Sequence, residues 1–288
     1  MSAQRPLFFG ETHWELPGFD RSEIVIVPVP FDLTSSWLKG ADGGPEAIIA
    51  ASPNLEFYDI ETGTEVYRRG IHVNETVRAE SSLEMVDACR SVVSAILAHG
   101  KFPVVLGGEH TVTLGPVQAV AERFPGVSVL HLDAHGDRRD TYEGDPLSHA
   151  CVIARVKEVT RPLVSVGIRS IDKSELPSLA EDTVFYANDI EGRRDWIDAA
   201  VEALGPNVYV TIDLDVFEPA VMPSTGTPEP GGLGWYDVIR LLKKVADSRR
   251  VVAFDIVEFL PSPGNKAPDF LTAKLLYTFL SYIFANRK

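Results

Sequence analysis

Apolar residues occur along this chain in short, nearly unbroken runs separated by longer stretches of helical spacing. Glu23-Ile-Val-Ile-Val-Pro-Val-Pro30 is the first such run and predicts a strand. Further strands are predicted over Phe102–Leu106, Val127–Leu132, Leu163–Gly167, Thr183–Tyr186, Val208–Ile212 and Val251–Asp255. Pro45–Ala50 reads as a helix start, with proline in the first turn. Ser82–His99 has helical spacing and stops at Gly100, a C-cap residue type. Helical patterns also cover Arg193–Leu204, Trp235–Ala246 and Pro268–Phe284. Strands this apolar must be covered on both faces, so the predicted fold is a three-layer α/β/α arrangement around a mostly parallel central sheet. No composition break, linker or repeat divides residues 1–288, which read as one domain.

The polar residues that follow the strands change the picture from fold to chemistry. His110, Asp133–Asp137, Asp213–Asp215 and Glu258 all come just after predicted strands. In a parallel sheet those ends share one side, where open α/β sheets bind ligands. In an extended segment Asp133, His135 and Asp137 point to one face. Carboxylate and imidazole together suit a divalent cation. Asp213-Leu-Asp215 repeats the pattern, and two paired acids repel unless a cation lies between them. His110 follows Gly107-Gly108-Glu109, where glycine allows close backbone approach. Each segment alone has a bland reading as a solvated loop, a helix cap or a satisfied structural histidine. Together they offer two His and four Asp, more than one ion needs. They match two ions about 3.5–4 Å apart that share bridging carboxylates.

Composition narrows the partners. The chain has 45% hydrophobic and 24% charged residues, as globular proteins do. The net charge of −14 opposes nucleic-acid binding and favours a cationic small substrate. No apolar stretch is long enough to span a membrane, and Met1–Pro6 lacks the apolar core of a signal peptide. The two cysteines, Cys89 and Cys151, read as reduced thiols in a cytoplasmic protein.

The segments Gly107-Gly-Glu-His110, Asp133-Ala-His-Gly-Asp137 and Asp213-Leu-Asp215, with the loop from Pro223 to Gly232, resemble the ureohydrolase (arginase/agmatinase) family. The resemblance runs from about Val25 to about Ala273. It implies an arginase-like fold, two Mn²⁺ ions per subunit and a homotrimer or homohexamer. By motif, His110, Asp133, Asp137 and Asp213 would hold one ion, and Asp133, His135, Asp213 and Asp215 the other. Asp133 and Asp213 would bridge, and Asp137 would orient the attacking water. Glu258 would pair with a guanidinium, whose planar fork suits a carboxylate. His149 would shuttle a proton, which suits a pKa near neutrality. Many members have Gly after this His, whereas this chain has Ala150.

The substrate depends on the segment from Arg138 to His149. Where arginases carry an Asn that helps recognise the amino-acid end of arginine, this chain has Arg139. The segment looks more like agmatinases, and its Asp140, Glu143 and Asp145 suit a cationic amine. The expected reaction is cleavage of agmatine to putrescine and urea. N1-aminopropylagmatine is an alternative, as are guanidinobutyrate or arginine if Arg138 or Arg139 clamps a carboxylate. Readings from other classes are a metal-dependent deacetylase and a non-catalytic binding member.

Overall fold

A computed structural model describes residues 18–285 and Arg287. Residues 1–6, and the expectation about a signal peptide with them, lie outside the described residues. Every predicted apolar run is a strand: β1 (Ile24–Val29), β3 (Phe102–Gly107), β4 (Ser128–Leu132), β5 (Leu163–Ile168), β6 (Thr183–Tyr186), β7 (Asn207–Asp213) and β8 (Arg250–Val257). A short strand not predicted, β2 (Ile71–Val73), pairs with β1 at the edge. The described residues form one parallel eight-stranded sheet in the order β2-β1-β3-β8-β7-β4-β5-β6.

Helices cover both faces. They are α1 (Gly44–Ala51), α2 (Ser82–Ala98), α3 (Leu114–Arg123), α4 (Val152–Val159), the one-turn α5 (Leu176–Leu179) and α6 (Ala187–Ile190), α7 (Trp196–Glu202), α8 (Trp235–Ser248) and α9 (Ala267–Ala285). Strand alternation separates two apolar cores. Ile24 and Ile26 join residues of α1, α7, α8 and α9, while Val25 and Val27 join residues of α2, α3 and α4. This is the predicted three-layer arrangement. Helix α2 starts where the Ser81 side chain accepts the Glu84 N–H at 3.3 Å, and it is followed by Gly100 at φ 72°. Helix α9 is buried almost all round, so no polar stripe marks it.

The topology places the site. The sheet grows outward through β1 and β2 on one side and through β4, β5 and β6 on the other. β3, β8, β7 and β4 are neighbours in the middle, where such sheets leave a crevice beyond the strand ends. His110 follows β3, Glu258 follows β8, Asp213 ends β7 and Asp133 follows β4.

Candidate metal centre and its cleft

The six predicted ligands converge. His110 Nδ1 lies 3.1 Å from Asp133 Oδ2, 3.1 Å from Asp137 Oδ2 and 3.4 Å from Asp213 Oδ2. His135 Nδ1 lies 2.8 Å from Asp215 Oδ2 and 3.6 Å from Asp133 Oδ1. Asp133 therefore stands between the two imidazoles, one carboxylate oxygen toward each. All four aspartates are buried. Three of them are also tied to backbone: Asp133 Oδ1 accepts the His135 N–H at 2.6 Å, Asp213 Oδ1 that of Asp215 at 2.8 Å, and Asp215 Oδ1 that of Ala134 at 2.9 Å.

The backbone is bent to achieve this. Asp137 has φ 52° and Glu258 has φ 62°. Left-handed geometry at a residue with a Cβ costs about 1–3 kcal/mol, and such strain gathers at functional sites. Gly108 has to be glycine, because a Cβ there would sit 2.1 Å from the Phe31 carbonyl oxygen. The Gly108 carbonyl accepts the Glu258 N–H at 2.7 Å.

The protein groups fit divalent cations on three observations. His110 Nδ1 is buried and makes no hydrogen bond, although three carboxylate oxygens surround it. Its other nitrogen, Nε2, is 2.9 Å from Thr211 Oγ1, the kind of outside partner that orients a metal-binding histidine. Four aspartates with two neutral imidazoles carry the charge that two divalent ions would cancel. Left to themselves the carboxylates repel: burial and then Asp133 push Asp137 up to about 6. Burial and then Asp215 raise Asp213 well above the usual carboxylate range. Two groups, His110/His131/Asp133 and Asp133/His135/Asp215, have ligand-type atoms within 4.8 Å of one another.

His131 was not among the predicted residues. It is buried on β4, with Nε2 2.7 Å from Asp133 Oδ2 and Nδ1 3.1 Å from Ser165 Oγ. That is hydrogen-bond distance to Asp133, so His131 orients this carboxylate. The signal for it lay in the two-residue period of His131, Asp133, His135 and Asp137. Glu229, in the loop after β7, reaches the outer nitrogen of His135 at 3.7 Å.

A cleft of about 280 Å³ opens over these groups, lined by His135, Asp137, Asp213, Asp215, His149 and Glu258. A larger hollow of about 620 Å³, near Arg249, Arg250 and Arg287, is lined by no histidine among the described residues, so volume alone does not mark the site. Glu258 Oε1 accepts the His110 N–H at 2.7 Å. Burial and then Glu109 raise the Glu258 carboxyl well above its usual range. His149 departs from expectation: burial, then its neighbours His110 and His135, push it down to about 4 instead of near neutrality.

The loop from Arg138 to Asp145 is partly corrected. Asp140 and Glu143 do not line the cleft. The Asp140 carboxylate is 93% exposed and pairs with Arg155 of α4 at 3.0 Å. Glu143 is exposed in a turn closed by hydrogen bonds between Tyr142 and Asp145. Arg138 is buried and bound to Asp182 at 2.6 Å, so it is unavailable to a ligand. Arg139 and Tyr142 do reach the cleft, with the guanidinium 5.0 Å from the ring centre. Two further carboxylates that line the cleft come from elsewhere: Asp172 and the buried Glu175, beyond β5.

Comparison with known proteins agrees with this geometry. Residues 22–281 match the family model described as "Arginase family". The chain is 36% identical to the N(1)-aminopropylagmatine ureohydrolase of Synechocystis sp. over 90% of this chain and 88% of that protein. It is 33% identical to the agmatinase of Pyrococcus horikoshii over 91% of this chain and 93% of that protein. Among solved structures it is similar to the agmatine ureohydrolase of Thermoplasma volcanium, with TM-score 0.86, 34% identity, and coverage of 94% of this chain and 92% of that one. Among the described residues no helix is long and apolar enough to cross a membrane. With its sheet order, its clustered carboxylates and imidazoles and these relatives, the chain belongs to the arginase family and is a hydrolase of carbon–nitrogen bonds in linear amidines.

Proposed function

We propose that this protein hydrolyses the guanidino group of agmatine to give urea and putrescine. The observation that carries this reading is the buried Glu258 carboxylate, which pairs with no cationic side chain among the described residues and shares the cleft with Asp137, Asp213 and Asp215. A guanidinium supplies the missing positive charge and a planar fork of donors. His110, Asp133, Asp137 and Asp213 would hold one divalent cation, and Asp133, His135, Asp213 and Asp215 the second. We read both as Mn²⁺. When bound, such a pair lowers the pKa of water enough to give a nucleophile near neutral pH.

The chain's own residues do the rest. Glu258 holds the guanidinium so that its carbon faces the attacking water, and Asp137 orients that water. His149 is neutral near pH 7, so its free ring nitrogen takes the proton released as the carbon–oxygen bond forms. It returns that proton to the departing amine as the carbon–nitrogen bond breaks. Guanidinium plus water yields urea plus an alkylammonium ion, so atoms and charge balance.

Asp172 and Glu175, which also line the cleft, provide negative charge for the amine end of the substrate. A second reading, N1-aminopropylagmatine, is favoured by the relatives: the chain is 39% identical to such an enzyme from Thermus thermophilus. A longer cationic tail would leave the cleft past the same acids. We further read the assembly as a cytoplasmic homotrimer or homohexamer, testable by light scattering.

The deciding experiment loads the protein with Mn²⁺ and offers agmatine, N1-aminopropylagmatine, arginine, guanidinobutyrate and an acetyl-lysine peptide. Urea from one of the first two supports this reading and chooses between them. Urea from arginine or guanidinobutyrate alone overturns the substrate assignment. Acetate without urea, or no product at all, overturns the reaction.

A further inference from the structure

The proton path just described rests on His149, and it requires one particular ring nitrogen to be free. We propose that Glu109 and Thr34 act as a positioning pair that fixes His149 as its Nδ1–H tautomer and leaves Nε2 unprotonated. This inference rests on the proposed role of His149.

The argument follows the protons. Glu109 is fully buried, and its two oxygens are surrounded by donors. Oε1 accepts the Thr34 hydroxyl at 2.8 Å and the Thr111 hydroxyl at 2.9 Å. Oε2 accepts the Thr34 N–H at 2.5 Å and the Ser35 N–H at 2.8 Å. A hydroxyl has one proton and two lone pairs. The Thr34 proton is committed to Glu109, so its lone pairs meet His149. One accepts the His149 backbone N–H at 3.0 Å, and the other faces His149 Nδ1 at 3.3 Å. Two lone pairs facing one another would repel, so Nδ1 must carry the proton. Ser148 Oγ, 3.2 Å from Nδ1, accepts from the same N–H without conflict. Because burial keeps the imidazole neutral near pH 7, its single proton sits on one nitrogen or the other, and this contact decides which.

The arrangement links distant parts of the chain. Thr34 lies in the loop after β1, Glu109 after β3 and His149 ahead of α4. The same loop carries Trp37 and Leu38 to the cleft. Glu109 thus sets both the wall of the cleft and the state of the histidine in it.

The test uses the full-length, Mn²⁺-loaded protein for turnover and the metal-free protein, with ¹⁵N-labelled histidine, for NMR. Thr34→Val keeps the shape but removes the acceptor. It should lower kcat by about 10- to 100-fold, within what a misplaced general acid–base group costs. KM and bound Mn²⁺ should stay within about twofold, a split not expected if Thr34 served only to hold the fold. Thr34→Ser should restore kcat. The His149 resonances, identified by their loss in His149→Asn, should show Nδ1–H in the native protein and a mixture in Thr34→Val. Should Thr34→Val not fold, Glu109→Gln replaces it, because an amide cannot accept from all four donors. An inactive His149→Asn beside a fully active Thr34→Val overturns the positioning pair. A fully active His149→Asn overturns the proton path instead, and the tautomer spectrum then decides the positioning pair alone. An Nε2–H signal in the native protein refutes it outright.

Discussion

The backbone N–H of His110 donates to Glu258 Oε1 across 2.7 Å, so a residue of the metal cluster and the carboxylate proposed for the guanidinium share one hydrogen bond. This fixes where Glu258 points before any substrate arrives. It also separates two roles that one mutation would confuse. Glu258→Gln keeps an oxygen for the His110 N–H but loses the charge. We expect turnover to fall by about 100-fold or more, with bound metal and Tm unchanged. Glu258→Ala also strands a buried N–H, which costs about 1–3 kcal/mol, so its Tm should fall as well. Calorimetry and metal analysis of both variants check this, and metal loss in the Gln variant would show that Glu258 is a ligand.

Asp133 stands between His110 and His135 and receives hydrogen-bond-distance contacts from His131 and the His135 backbone. Asp133→Ala should therefore empty both cation positions and abolish urea production. Asp213→Ala should do the same if Asp213 is the second bridge. Metal content by mass spectrometry reads this directly. A variant that keeps two ions and normal turnover would refute the bridging assignment.

Behind His110 runs a buried chain of polar groups. Thr211 Oγ1 lies 2.9 Å from His110 Nε2 and donates to Asp255 Oδ1 at 2.7 Å, while Tyr209 donates to Asp255 Oδ2 at 2.5 Å. As Thr211 donates to Asp255, it accepts from Nε2–H, and Nδ1 is left free for a cation. Thr211→Val removes that acceptor. It should weaken cation binding by about 10- to 100-fold, the usual cost of losing an outer partner. Titration of metal-free protein by calorimetry measures it, and unchanged affinity would mean that the chain only fills space.

The strands and the clustered histidines and aspartates were legible for one shared reason. Strands buried on both faces are mostly apolar, and at the ends of β3, β4, β7 and β8 the apolar run gives way to the charged residues of the cluster and Glu258. β2 was not legible because Ile71-His72-Val73 is three residues long on the sheet edge and has no apolar run. Helix α3 was hidden by Gly115-Pro116 in its first turn, and α4 is only eight residues long. The unread α4 explains the error at Asp140. Its Arg155 captures that carboxylate at the surface, a contact that no local pattern announces. Asp172 and Glu175 reach the cleft from beyond β5, a neighbour that only the strand order reveals. The tautomer of His149 likewise depends on three segments far apart in sequence.

Cys89 offers a pH test of the core away from the cluster. It is fully buried on α2 beside Met85, and burial, then Asp255, push its thiol up to about 12. An ordinary cysteine ionises near about 8.5. Below that pH the thiol is protonated in both folded and unfolded chains and contributes nothing to the pH dependence. Above it only the unfolded chain loses the proton, so stability falls as pH rises, until the folded thiol ionises too. The slope approaches about 1.4 kcal/mol per pH unit for this one group. Cys89→Ala should therefore lose less stability than the native protein between pH 8.5 and 10, whatever its cavity costs at pH 7. Urea denaturation at several pH values measures the difference, and parallel curves would show that the thiol does not titrate as its burial requires. Alkylation provides a second reading. At pH 7 the thiolate fraction is about 10⁻⁵, so iodoacetamide should leave Cys89 unmodified in the folded protein and label it only after unfolding.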